Sequence, residues 1–260
     1  MNENGNKTIY VKIAVFAAVV FLQMCVLVYC FTVKKKDYHS DELFSYGLAN
    51  SYYQPFISSN DHKGMELIHN NEWLPGEIIN DYLSVQKEHR FAYDSVYYNN
   101  SKDVHPPLYY MVLHTVCSFF PEVFTEWFGF GLNLILFLLN QVLLYLIVGR
   151  MTKSSALSLA VVALYGLNQG GIDTYIFIRM YAMCTFFLLL CIYLHIRLFD
   201  GGGNRYKLLI GLAFTTFLGG MTHYYYLIAA GFISACFCIW YLLKKQYRFL
   251  VIYAAVMLAA

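Results

Sequence analysis

Charge is what this chain lacks most. Asp, Glu, Lys and Arg make up only 13% of its 260 residues, about half the ~25% of a water-soluble domain. The net charge is +2, and no basic run with interleaved aromatics resembles a nucleic-acid surface, so nucleic acid is not an expected partner. Cysteine occurs seven times, but no pair has metal-ligand spacing with a histidine partner, which argues against a structural zinc site. All seven lie in apolar segments, where they read as small apolar residues of membrane helices. A Gly-rich phosphate loop, a Ser-His-Asp arrangement, an internal repeat and a low-complexity tract are all missing. Gly201-Gly202-Gly203 reads as a flexible turn.

What is abundant is apolar: 59% of residues are hydrophobic and 18% aromatic. Several stretches of ~20 residues are almost free of charge, the length that crosses a bilayer. The expected fold class is an all-α polytopic membrane protein in a lipid bilayer. Residues 9–33 form one apolar helix with a lone Lys12. It is too long for a typical signal peptide and no small-residue cleavage site follows it. Residues 34–104 are polar, with short amphipathic groups at Leu43, Phe44, Tyr46 and Leu48, then Ile78, Ile79, Tyr82 and Leu83. These predict an ordered cap of helices lying on the membrane surface. Residues 106–120 are apolar but short, which predicts a re-entrant or interfacial segment. Further apolar segments run over 127–149, 155–170, 176–199, 208–220 and 224–243. Residues 249–260 are apolar and too short to span, so the chain reads as an N-terminal fragment cut within a helix.

The short connections alternate in charge. Residues 150–153 are basic, 168–174 carry no Lys or Arg, Arg197, Arg205 and Lys207 form a basic connection, 219–224 have none, and Lys244, Lys245 and Arg248 form another basic one. Basic short loops belong on the cytoplasmic side. That assigns 34–126 to the outer side, with 106–120 not crossing. Lys34-Lys35-Lys36 opposes the rule but belongs to a long segment, where the rule is weak. The expected organisation is 1–33 as cytoplasmic N-terminus and first span, 34–126 as outer loop, and 127–260 as a bundle, with six complete spans in all.

In that topology the polar residues of the outer half converge. Asp41 and Glu42 follow the first span. His105 stands before Pro106-Pro107, whose fixed φ and missing donors make a rigid entry into a helix. Asp173, Arg179 and Tyr181 stand at the outer ends of the third and fourth spans, and His223 and Tyr224 at those of the fifth and sixth. Ionisable groups gathered at one membrane face are costly unless they serve each other or a ligand.

Four of these elements resemble, in order, the GT-C superfamily of membrane glycosyltransferases, in particular bacterial relatives of protein O-mannosyltransferases and aminoarabinose transferases. They are Asp41-Glu42, His105-Pro106-Pro107-Leu108-Tyr109-Tyr110, Arg179-Met180-Tyr181-Ala182 and Thr222-His223-Tyr224-Tyr225. The Asp-Glu pair alone is common, whereas the His-Pro-Pro-Leu-Tyr-Tyr run is specific. The resemblance implies a GT-C-like bundle with a large first outer loop. It also implies a transferase that moves a sugar from a polyprenyl-phosphate carrier, with inversion, to a protein, polysaccharide or glycolipid acceptor outside a bacterial plasma membrane. Asp41 is then the general base, with Glu42 beside it. His105, Arg179 and Tyr181 fall at the carrier phosphate, and Asp173, His223 and Tyr224 at the substrate. A divalent cation stays open. Some relatives have an acid in place of Tyr181; its absence here weighs against a metal, for which Asp173 or Glu42 would be the substitute acid. A secondary transporter or lipid flippase, and an inactive assembly partner, are the competing expectations.

Overall fold

The computed structural model describes residues 3–57, 73 and 75–260; residues 58–72 and 74 of the expected outer loop lie outside the described residues. The described residues form helices and connections without a strand. The first span runs through α1 (Glu3–Tyr29) and a π-turn (Cys30–Lys34). Four short helices follow: α2 (Ser40–Asn50), α3 (Gly76–Leu83), α4 (Tyr93–Ser101) and α5 (Leu108–Ser118). The rest comprises α6 (Glu126–Thr152), α7 (Ser155–Leu167), α8 (Gln169–Ile176), α9 (Tyr181–Phe199), α10 (Arg205–Gly220), α11 (Tyr224–Leu243) and α12 (Tyr247–Ala259).

Among the described residues, four helices are long and apolar enough to cross a membrane: 9–34, α6, α9 and α11. The bent pair α7–α8 makes a fifth. The chain is thus a multi-pass helical membrane protein. Segment 208–220, expected as a complete span, belongs to α10, whose 16 residues rise ~24 Å at ~1.5 Å each, short of a ~30 Å hydrocarbon core. The number of membrane-length helices is therefore smaller than the expected six.

Several helix starts are written locally. Thr125 accepts the Trp127 N–H, Ser154 that of Leu157, Asn204 those of Tyr206 and Lys207, and His223 that of Tyr225. Each side chain satisfies an amide that the first helical turn leaves open. Asn168 works in both directions, ending α7 and starting α8: its Nδ2 donates to Tyr165 O at 2.6 Å, and its Oδ1 accepts from Gly171 N at 2.8 Å. The chain bends by 62° there. A Cβ on Gly171 would stand 2.2 Å from Tyr165 O, so the bend needs glycine. Residues 168–174, read from the sequence as a loop, are mostly the helix α8.

Helix α6 packs along α7 and α9, and α9 along α10, around Phe130, Phe137, Val162, Tyr175 and Met183. The basic connections meet at one end. Arg150 bonds Asp200 at 2.8 Å, and Arg205 bonds Gln246 at 2.9 Å and lies over the Phe249 ring. The described part of the cap sits at the other end. The expected amphipathic groups fall on α2 and α3, but α2 does not lie on a surface. It is buried from Ser45 to Asn50 because α3, α4 and α5 all pack on it. A Cβ on Gly47 would overlap the Tyr82 ring, so glycine is what lets α3 approach. Tyr46 fastens the cap to the bundle: its hydroxyl donates to Thr125 O and accepts from Gly129 N, both at 2.9 Å. Helix α5, with 11 residues, is too short to cross and packs against α2, α4 and α6.

Candidate functional site

The cap end brings four helix beginnings together. His39 precedes α2, the Pro106-Pro107 corner precedes α5, Arg179 and Met180 precede α9, and His223 precedes α11. Pro107 has φ −83° and ψ −11°, so the corner turns into the helix at that residue. Leu108 N then donates to Met221 O at 3.0 Å, which ties the start of α5 to the connection before α11.

Arg179 is the centre of the cluster. It is only 6% exposed. Its Nη1 donates to Asp41 O at 3.1 Å, and its Nη2 lies 3.8 Å from Asp41 Oδ2. Its Nε has no partner, and a buried unpaired donor is costly. The rings of His39 and Phe177 are 5.4 Å apart, those of Phe177 and Tyr181 6.1 Å, those of Tyr181 and His223 5.7 Å, and those of His223 and His105 5.7 Å. Helix beginnings carry about half a positive charge each, and their free amides favour anions. Four of them stand around a buried guanidinium, with the Asp41 and Asp103 carboxylates beside it.

The two acids after the first span are not equivalent. Asp41 keeps 43% of its side chain exposed, 3.8 Å from the Arg179 guanidinium and 3.9 Å from His39 Nδ1. Glu42 is fully buried and all its bonds are structural. It pairs with Lys35, accepts Ile178 N–H at 2.8 Å, and accepts His39 N–H at 3.0 Å in a capping box. Such a carboxylate has no face left for a substrate. Expected as a possible partner of Asp41 in catalysis, it is instead the post that fixes the connection carrying Arg179.

His105 Nδ1 lies 2.8 Å from Asp103 Oδ2, with 18% and 16% of the two side chains exposed. Burial pushes the Asp103 carboxyl up, but the His105 hydrogen bond, the Val104 N–H and the attraction of His105 and Arg179 outweigh it and hold it below its ordinary range. Burial, followed by the charges of His105 and Arg179, pushes the His223 imidazole below its ordinary range. His223 Nδ1 accepts the Tyr225 N–H at 3.1 Å, so the neutral ring carries its proton on Nε2.

Two expected residues stand apart. Asp173 is exposed on α8 and accepts a hydrogen bond from Gln169 at 2.7 Å, one turn earlier. It makes no ion pair with the cluster among the described residues. Tyr224 is 57% exposed, and it is Tyr225 whose ring lies 4.6 Å from His223. The cap geometry explains this, since His223 folds back over the first turn and selects the residue two positions on. Among the described residues, no three His, Cys, Asp or Glu side chains are grouped so as to hold a metal ion.

Sequence reasoning missed Asp103, Lys35 and His39. The signal for Asp103 was its position two residues before His105. Lys35 belonged to a lysine run treated only as a topology marker, although it also donates to Ile176 O at 3.0 Å. No family model, curated protein or solved structure matches the chain.

Proposed function

We propose that this protein is a membrane glycosyltransferase that moves a sugar from a polyprenyl-phosphate carrier to an acceptor hydroxyl at the cap end of the bundle. The observation that supports it most is Arg179: a buried guanidinium with an unpartnered Nε, among four helix beginnings, at one end of membrane-length helices. A lipid phosphate brings its charge to the headgroup level, and the Arg179 guanidinium offers fixed positive charge beside the bundle.

In the proposed step the acceptor oxygen forms a bond to the anomeric carbon as the bond to the phosphate oxygen breaks, with inversion. The electron pair leaves on the phosphate, whose growing charge Arg179 and the helix beginnings stabilise, with His105 and Tyr181 beside them. The hydroxyl proton passes to Asp41, general-base help worth ~10²–10⁴ in rate. The phosphate does not need to displace a strong ion pair, since Asp41 Oδ2 stands 3.8 Å from the guanidinium. Glu42 serves as support. The cap end then faces outward, with the basic connections in the cytoplasm of a bacterial cell.

A transporter or flippase is the competing reading, as intramembrane polar groups mark such pathways. Those inside this bundle are mainly neutral amides such as Gln23 and Asn140, bonded to backbone carbonyls of neighbouring helices, the usual glue of membrane helices. The charges gather at the ends. An inactive assembly partner would not need the unpartnered Arg179 donor.

The test is consumption of polyprenyl-phosphate-linked hexoses and pentoses by the protein in proteoliposomes, with and without acceptor. The expected result is release of polyprenyl phosphate that Arg179→Ala abolishes. Equal release by wild type, Arg179→Ala and Asp41→Asn proteins would remove the assignment.

A further inference from the structure

We propose that Asp103 is a positioning residue of the anion site: it holds His105 through Nδ1 and so presents Nε2 to the phosphate group bound there. The ligand in this statement rests on the function proposed above; the pairing itself does not.

Asp103 lies in the connection between α4 and α5, two residues before His105, and the 2.8 Å contact joins two side chains that are mostly withdrawn from solvent. A carboxylate only accepts, so Nδ1 must carry a proton. Nε2 is then the one ring atom with an open role. Protonated, it is a charge-assisted donor to a phosphate oxygen. Bare, it turns a lone pair toward the same oxygen and repels it. The His223 ring, before α11, lies 5.7 Å from that of His105 and has the reverse arrangement, with Nδ1 committed to Tyr225 N. The two imidazoles therefore have opposite ring nitrogens committed, and phosphate binding weakens when Asp103 no longer holds the His105 ring.

Tautomer-sensitive ¹⁵N-histidine spectra and polyprenyl phosphate binding are compared for wild type, Asp103→Asn and Asp103→Glu proteins in nanodiscs, with His89, stacked on Tyr52, as reference. The expected wild-type His105 carries a proton on Nδ1, a state lost in Asp103→Asn and kept in Asp103→Glu, while the His89 signal does not change. Polyprenyl phosphate binding weakens in Asp103→Asn and returns toward wild type in Asp103→Glu. An unchanged His105 signal in a folded Asp103→Asn protein overturns the proposal. A changed signal without polyprenyl phosphate binding to any of the proteins leaves the positioning role standing and removes the phosphate reading. If Asp103→Asn does not fold, ¹⁵N-histidine spectra of the wild type decide: a neutral His105 with its proton on Nε2 overturns the assignment, and one on Nδ1 supports it.

Discussion

The Glu42 carboxylate accepts the backbone N–H of Ile178 at 2.8 Å, joining the first turn of α2 to the connection that carries Arg179. This single contact explains why two adjacent acids have different tasks. Glu42 uses its oxygens on Lys35, His39 and Ile178, while Asp41, about 100° round the helix, stays partly exposed beside Arg179.

Substitutions at the two acids should therefore separate. Glu42→Ala leaves Lys35 without its counter-charge, and breaking a buried pair costs ~3–5 kcal/mol, so its thermal unfolding in detergent should fall sharply and expression with it. Asp41→Asn should unfold like wild type, within the ~0.3–1 kcal/mol of a helix-dipole contact, yet lose turnover of lipid-phosphate sugar by ~10²-fold or more with donor binding nearly intact. Full turnover by Asp41→Asn at matched expression would overturn its role as base.

Donor affinity should follow charge at Arg179 and His105. Arg179→Ala is expected to weaken polyprenyl-phosphate sugar binding more than Arg179→Lys, since lysine keeps the charge and loses only the forked geometry. His105→Ala should weaken binding, and His105→Lys should retain part of it. Unchanged apparent affinity in both alanine variants would take these residues out of the site.

His223 predicts a pH dependence of stability. Its imidazole is depressed in the folded protein, so the unfolded chain binds the proton more readily. The stability it contributes is present above the ordinary histidine range of ~6.5 and is lost as pH falls through the folded value. Apparent unfolding temperature should decline on acidification below ~6.5, and His223→Asn, which keeps a cap acceptor, should flatten that decline. A profile identical to wild type would separate the ring from the effect.

Topology is checked with single cysteines in a cysteine-free protein. Val104→Cys, at a 72% exposed position of the cap end, should react with an impermeant thiol reagent in whole cells, and Met151→Cys, 68% exposed at the basic end, only after lysis. The reverse pattern would invert the orientation.

Several features were legible because they are local. Long uncharged runs require helices of membrane length, since a chain in lipid must satisfy its own backbone groups. Thr125, Ser154, Asn204 and His223 start their helices through amides two or three residues away, and the Pro106-Pro107 corner announces α5. The alternation of basic connections anticipated their meeting at one end, where Arg150 reaches Asp200.

The break over residues 177–180 was not legible, because nothing in Ile176-Phe177-Ile178-Arg179-Met180 breaks a helix. Distant side chains take the hydrogen bonds that a continuous helix would have kept. Asn133 Nδ2 donates to Tyr175 O and Phe177 O at 3.0 and 2.9 Å, Lys35 donates to Ile176 O, and Glu42 accepts from Ile178 N. The sequence by itself therefore determined a multi-pass helical chain with its charges near the helix ends. Only the tertiary structure decided that Arg179 leaves the helix to stand beside Asp41, and that Asp103 closes on His105. The first outcome depends on hydrogen-bond partners more than a hundred residues away, and the second on how the connection before α5 folds.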